Sequence, residues 1–267
     1  MSSVSNFAGR EPVPAAGQTG PSIQLIVTSL FRADAITMVK NKRSVIISLF
    51  LPLVILFLTG RPKSEQRLGG SLVIIGLAIT YGLVSTGIIG YAISLARDRD
   101  QGIFQRLRVT PAPAWAILGS RLAVQVVANL VISLIVLIVG SVYYHLTLSA
   151  WQYLIVLLIS LIGSAVFLSI GQAIVGLVKS SETVNAAGRI VFIALIFLGL
   201  LGLEGILGSG IQSISRWSPV GAMMTLFAAV LKLSVWGSRD WLSLLACVGY
   251  VVVFAAIGIR WFQWESH

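Results

Sequence analysis

Ionisable side chains are scarce in this sequence, so the places where they gather are where its chemistry must be sought. The 267 residues hold 19 Lys+Arg, 9 Asp+Glu and 2 His. The densest run is Arg97-Asp98-Arg99-Asp100-Gln101-Gly102-Ile103-Phe104-Gln105-Arg106-Leu107-Arg108-Val109-Thr110-Pro111. Within it Ile103, Phe104 and Leu107 stand at helical i, i+3 and i+4 relations and share one face, and Thr110-Pro111 stops the turn. Such a ridge could press into a groove of another protein, with Arg106 and Arg108 turned to water or to acidic groups. The same run could equally be a solvated basic loop that obeys the positive-inside rule. A second concentration surrounds Glu204, where Gly199, Gly202, Gly205 and Gly208 recur every third residue. Glycine ridges let helices approach closely. A carboxylate among apolar residues is costly unless paired, hydrated or protonated. Glu204 could therefore line a water-accessible path with Gly202 and Gly205, near a cationic substrate, or sit hydrated at the outer interface.

Other reactive constellations fail on spacing. Gly208-Ser209-Gly210 has the shape of a nucleophile turn, but His145 lies at a loop edge and His267 is the last residue. Neither is set at a matching depth for a Ser–His pair. Two isolated histidines and one cysteine supply no metal-ligand cluster, so no metal site is expected. Cys247, inside an apolar run, reads as a small buried hydrophobe. No Gly-x-x-x-x-Gly-Lys-Ser/Thr loop occurs, so any nucleotide is expected on another polypeptide, with no cofactor bound by this chain.

The elements that would position these residues follow from composition. The sequence is 57% hydrophobic, only 10% charged, and has a mean hydropathy of +0.94. Soluble domains carry roughly a quarter of their residues as charges, so the solvent of this chain is largely lipid. An all-α integral membrane protein is expected, with six apolar segments near the ~20 residues needed to cross a bilayer. They are Ser44–Thr59 with Pro52 inside, Leu72–Leu95, Leu118–Tyr144, Tyr153–Val178, Ile190–Leu207 and Leu242–Phe262. Trp115, Tyr143, Trp151, Trp241 and Trp261 mark their ends as an interfacial belt. The net charge of +10 sits mostly in short loops, which assigns it to topology and lipid headgroups rather than to nucleic acid. With both termini in the cytoplasm, 13 of the 19 basic residues fall inside. Glu204 is then the one acidic residue within the six spans.

Three segments remain. Residues 1–21 read as a disordered cytoplasmic tail, because Ser, Gly, Pro and Ala dominate and no signal-peptide core is present. Residues 22–43 read as an amphipathic interfacial helix, with Ile23, Ile26, Val27 and Leu30 at helical spacing and Ser22 as candidate N-cap. Residues 44–267 form the membrane domain. Its stretch 208–239, whose apolar part Val220–Leu231 is too short to cross, reads as a re-entrant or surface-lying outer element.

The run after the second span resembles the inner loop of ABC-2-type transporter permeases, the membrane subunits of ABC exporters. Their pattern there is acidic-Arg-acidic-x-Gly-Thr-x-Glu-x-Leu-x-x-Thr-Pro. Asp98, Arg99, Asp100, Gly102, Leu107, Thr110 and Pro111 match it; Ile103 replaces the usual Thr and Gln105 the usual Glu. Ser218-Pro219 falls where the family has a Pro-containing outer segment. The resemblance is closest to the drug-resistance branch and implies an inner-membrane exporter of two permease chains, identical or paralogous, and two ATPase chains that bind ATP and Mg. The helix around Gly102–Val109, with Asp98, Arg99, Asp100, Ile103, Phe104 and Arg106 beside it, would couple to the ATPase. The substrate path would lie at the dimer interface, lined by spans two and five. The cargo would be an amphipathic drug, antibiotic or lipid-like molecule. An ion-coupled carrier is the main rival, and would need more ionisable residues at mid-membrane. A membrane scaffold is compatible with the composition.

Overall fold

The computed structural model describes residues 23–40, 42–59, 70–103, 113–204, 208–231 and 236–261. Every regular element among them is helical. In chain order they are α1 (Ile23–Lys40), α2 (Lys42–Thr59), α3 (Ser71–Val84), a π-helical segment (Ser85–Tyr91), α4 (Ala92–Asp100), α5 (Ala114–Tyr143), α6 (Ala150–Leu177), α7 (Ser181–Glu204), α8 (Gly208–Trp217), α9 (Pro219–Leu231) and α10 (Ser238–Trp261). Among the described residues five helices are long and apolar enough to cross a membrane: Ser71–Asp100, Trp115–Tyr143, Ala150–Leu177, Ser181–Leu200 and Ser238–Trp261. They correspond to the second through sixth expected spans. The part of α2 from Ser48 to Thr59 is apolar but shorter.

The second span is a rod of 30 residues from Ser71 to Asp100. At 1.5 Å per residue it is about 45 Å long, well beyond a ~30 Å hydrocarbon core. The rod is therefore long enough for its polar end, Arg97 to Asp100, to stand clear of the apolar slab. The fifth span begins at Ser181, nine residues before the expected Ile190. Glu182 and Arg189 depress the hydropathy of its first turns, yet Ser180 starts the helix locally. The Ser180 hydroxyl accepts from the Thr183 amide at 3.2 Å, as an N-cap does.

The core is built where small residues let helices touch. A Cβ on Gly87 would lie 2.8 Å from the Phe167 carbonyl carbon, and one on Gly171 only 2.3 Å from the Gly87 oxygen. The π segment and α6 thus meet backbone to backbone. Gly176 and Gly258 bring α6 and α10 together in the same way, and Gly82 faces Pro52 of α2. These glycines act as packing contacts. Gly90 does not, its nearest neighbour being its own segment's Ser85 oxygen at 3.8 Å. Gln172 makes a cross-helix hydrogen bond, with the Tyr91 hydroxyl donating to its Oε1 at 2.6 Å. Asn129 instead accepts from Gln125 of its own helix at 3.3 Å. Cys247 is fully buried, its Sγ 3.8 Å from Met223 Sδ.

The stretch expected to form an outer element is a helix pair, and its second member is not surface-lying. Ser218 caps α9, its hydroxyl accepting from the Gly221 amide at 3.1 Å and donating to the Ser215 carbonyl at 2.6 Å. Pro219 takes the first helical position, where its missing N–H costs nothing. A Cβ on Gly221 would fall 2.0 Å from the Ser215 oxygen, so the turn admits glycine alone. Met223, Leu226 and Phe227 are wholly buried, and α9 packs among α3, α6, α7 and α10. Its far end is held by Gln152, whose Nε2 donates to the Leu231 carbonyl at 3.2 Å.

Candidate functional site

The expected interaction loop leaves the bundle at the end of α4, and its root is the described part. Asp98, Arg99, Asp100, Gly102 and Ile103 are described, whereas Phe104, Arg106, Leu107, Thr110 and Pro111 lie outside the described residues. Gly102 has φ of +67°. It follows the helix C-cap, donates to the Arg99 carbonyl at 3.0 Å, and ends α4 in the left-handed conformation that glycine adopts without a Cβ penalty. This glycine turns the chain rather than offering a surface.

The three charged residues before it point to three different helices. Arg99 is buried, with 3% of its surface exposed. Its Nη1 donates to the Val175 carbonyl at 2.9 Å, and its Nη2 to Val178 at 2.8 Å and Lys179 at 2.7 Å. Those carbonyls belong to the last turn of α6 and the residues just after it, where a helix leaves acceptors without intrahelical partners. A guanidinium satisfies three of them and complements the negative end of the helix dipole. Asp100 turns the other way. Its Oδ2 accepts from the amide of Ser181 at 2.9 Å, the first residue of α7, and places a negative charge at that helix's positive end. Its Oδ1 lies 3.9 Å from Arg99 Nε, which has no hydrogen-bond acceptor among the described residues.

Asp98 reaches α5. Its carboxylate pairs with Arg121 Nη1, and Arg121 Nε lies 3.9 Å from Asp34 Oδ1 of α1. Ser120 donates its hydroxyl to the other Asp34 oxygen. Asp34 sits on the inward stripe of α1, with Ile26, Leu30 and Met38 half-buried at helical spacing on the same side. The expected apolar face is therefore present, except that Ile23 is exposed. Ser22 lies outside the described residues. Beside the cluster a cavity of ≈ 160 Å³ opens, lined among others by Asp34, Ser48, Gly90, Ser94, Asp98 and Arg121.

Sequence reasoning missed Asp34 and the part played by Arg121. The available signal was charge balance: Arg121 and Asp98 flank one short loop, and a carboxylate at position 34 interrupts an apolar stripe. The α6–α7 joint was likewise missed, although two helices separated by Val178-Lys179-Ser180 need partners for their loose ends.

The second candidate region is only partly described. Glu204 and Gly202 end α7, but their side-chain surroundings and Gly205 lie outside the described residues. Gly199 is defined. A Cβ there would meet the Tyr81 hydroxyl at 2.4 Å and Val220 Cγ1 at 2.7 Å, so this glycine lets α3 and α9 close on α7. The Tyr81 hydroxyl then donates to the Ile196 carbonyl at 2.8 Å.

Among the described residues no three His, Cys, Asp or Glu side chains gather to hold a metal ion. His145 is an exposed residue with φ of 53° in the turn after α5. What the arrangement offers is mechanical: the root of one loop is tied to α1, α5, α6 and α7 at one end of a helical bundle.

A multi-pass helical membrane protein with its charges gathered at helix ends is the class that this geometry defines. The family model of the ABC-2 type transporter matches residues 26–232, and the chain belongs to that family of transport permeases. It is also 21% identical over 227 residues to a Bacillus subtilis (strain 168) protein named "Putative transport permease YvfS", covering 83% of this chain and 91% of that one.

Proposed function

We propose that this chain is the membrane subunit of an ATP-driven exporter that moves an amphipathic or lipid-like molecule out of the cytoplasm or inner leaflet. In this reading the chain crosses the membrane six times with both termini in the cytoplasm, α2 being the first crossing and the α8–α9 pair a re-entrant outer element. The 18 residues of α2 span about 27 Å, close to the hydrocarbon thickness, and the basic residues at its start suit the inner face. Two such chains, identical or paralogous, work with two ATPase subunits that bind ATP and Mg.

One observation carries the reading: the loop with the family's inner-loop pattern is rooted in charged side chains tied to four other helices. A loop that only marked topology would need no such anchoring, whereas a loop pushed by another protein must pass its displacement to the spans. The apolar ridge of Ile103, Phe104 and Leu107 would seat in the ATPase, with Arg106 against its acidic groups. Thr110 and Pro111 would end the ridge. Glu204, Gly202 and Gly205 would lie near the outer end of the substrate path.

The test is co-expression with an ABC ATPase subunit from the same genome, purification through a tag on the permease, and reconstitution in proteoliposomes. The expected result is a complex whose ATP turnover rises with members of a panel of amphipathic compounds. Leu107→Asp inserts into the membrane normally but leaves turnover at the level of the ATPase alone. Cargo movement by the permease without any ATPase, or wild-type stimulation of L107D, would sink the proposal.

A further inference from the structure

The fifth span, α7, turns Ile190, Ile193 and Phe197 outward and is held on its other side by attachments to neighbouring helices. Two of these are hydrogen bonds from one rod, Ser71–Asp100. Near one end the Tyr81 hydroxyl donates to the Ile196 carbonyl at 2.8 Å. At the other the Asp100 carboxylate accepts from the Ser181 amide at 2.9 Å. Between them Gly188 passes the Ile88 carbonyl oxygen, 3.4 Å from where its Cβ would be. Arg99, next to Asp100, holds the incoming chain of the same joint by its three bonds to Val175, Val178 and Lys179.

We infer that Arg99 and Asp100 are positioning residues that clamp the α6–α7 joint to the second span, so that α7 moves with the loop root as one body. Consecutive residues of one helical turn carry opposite charges to opposite helix poles. Arg99 meets the carbonyl end of α6 and Asp100 the amide end of α7, each complementing the local dipole. The Arg fork is required because one group must reach three carbonyls; a lysine ammonium has three donors on one atom and lacks that spread. Asp100 is required only as an acceptor, since an asparagine side chain presents a carbonyl oxygen in the same place. This asymmetry separates a clamp from a bulk charge effect. The inference rests on the exporter reading for the force that moves the loop, but not for the joint itself.

The experiment uses the permease–ATPase complex in nanodiscs. Cys247 is replaced by Ala, and spin labels are attached at Arg97→Cys and Glu182→Cys, both exposed positions on either side of the joint. Distances are read by electron paramagnetic resonance without nucleotide and with ATP–vanadate. In the otherwise wild-type protein one narrow distance is expected, unchanged by nucleotide. Asp100→Ala broadens it at least twofold or adds a second population with ATP–vanadate, and Asp100→Asn restores the narrow distance. Ser181→Pro provides the independent variant. It deletes the donor at a first helical position, where proline is tolerated, and should match D100A without any change of charge. Arg99→Lys is expected to broaden the distance as well. A nucleotide-dependent shift in the wild type, or narrow distances in both D100A and S181P, overturns the clamp. Absence of an ATPase from the purified wild type overturns the exporter reading instead; the nucleotide-free widths in D100A and S181P still decide the clamp.

Discussion

The pairing of Arg121 with two carboxylates leads to a prediction whose sign is as informative as its size. Side-chain exposure is 19% for Arg121, 21% for Asp98 and 25% for Asp34, so the cluster is neither solvated nor sealed. Two unit charges 4 Å apart attract by about 4 kcal/mol at an effective dielectric constant near 20, and partial desolvation removes part of that gain. A net coupling of about 1–2 kcal/mol between Arg121 and Asp98 results, above the range of exposed pairs. Arg121→Gln loses both carboxylate pairings and leaves Asp98 and Asp34 facing each other across the vacated guanidinium. Asp98→Asn loses one partner and leaves Arg121 with Asp34. R121Q should therefore be the more damaging single change.

Adding D98N to R121Q should raise stability, because it removes one of two unpaired like charges. In thermal unfolding of the detergent-solubilised protein, followed by tryptophan fluorescence, about 1–2 kcal/mol corresponds to a fall of about 3–6 °C in Tm for R121Q. The double variant should recover part of that fall. Melting losses that simply add would show that the contact carries no coupling energy, and the account of the loop root would lose its α5 and α1 attachments.

Two other predictions rest on glycines. Gly171→Ala forces a methyl to within 2.3 Å of the Gly87 oxygen; neither backbone can rotate away, so a destabilisation of about 1–3 kcal/mol is expected, while Gly90→Ala, with 3.8 Å of clearance, should melt with the wild type. At Gly102, with φ of +67°, alanine should cost about 1–2 kcal/mol and asparagine less, since Asn enters the left-handed region more readily. ATP turnover of the reconstituted complex should fall in the same order, Gly, then Asn, then Ala, and equal activity of all three would mean that the turn does not set the loop's direction.

Much of the helical framework was legible because a bilayer demands long apolar runs, and those leave an unambiguous trace. The start of α7 was not, because Glu182 and Arg189 interrupt the run that begins it; hydropathy reports lipid contact, whereas a helix starts where its first amides find acceptors. The depth of α9 was hidden for a related reason. A largely apolar helix of 13 residues fits a surface or an interior equally, and the Ser218–Gly221 turn, which needs glycine beneath the Ser215 oxygen, directs it inward. The motif was visible as a run of charge, but its inward direction was not. Nothing in Asp98-Arg99-Asp100 as a string shows that its middle residue is the buried one, because burial there depends on carbonyls of Val175, Val178 and Lys179, some eighty residues away.

The π-helical segment explains how three adjacent charges reach three helices. Upstream of it, α3 presents Gly76 to Phe227 and Tyr81 to Gly199, which fixes the phase of the rod against α9 and α7. At the segment's end Tyr91 reaches Gln172, and downstream Asp98 reaches Arg121 and Arg99 the end of α6. In a continuous α-helix the second set would keep a phase of 100° per residue from the first. The wider turns of a π segment take up additional residues and shift that phase, rotating α4 relative to α3. Gly87 permits the shift, since the widened backbone lies against Phe167 and Gly171 where any side chain would collide. The segment therefore does two things at once. It brings the middle of the second span against α6, and it aims the motif so that Asp98, Arg99 and Asp100 each meet a group of opposite polarity. A regular helix through Ser85–Tyr91 would rotate one set of contacts relative to the other.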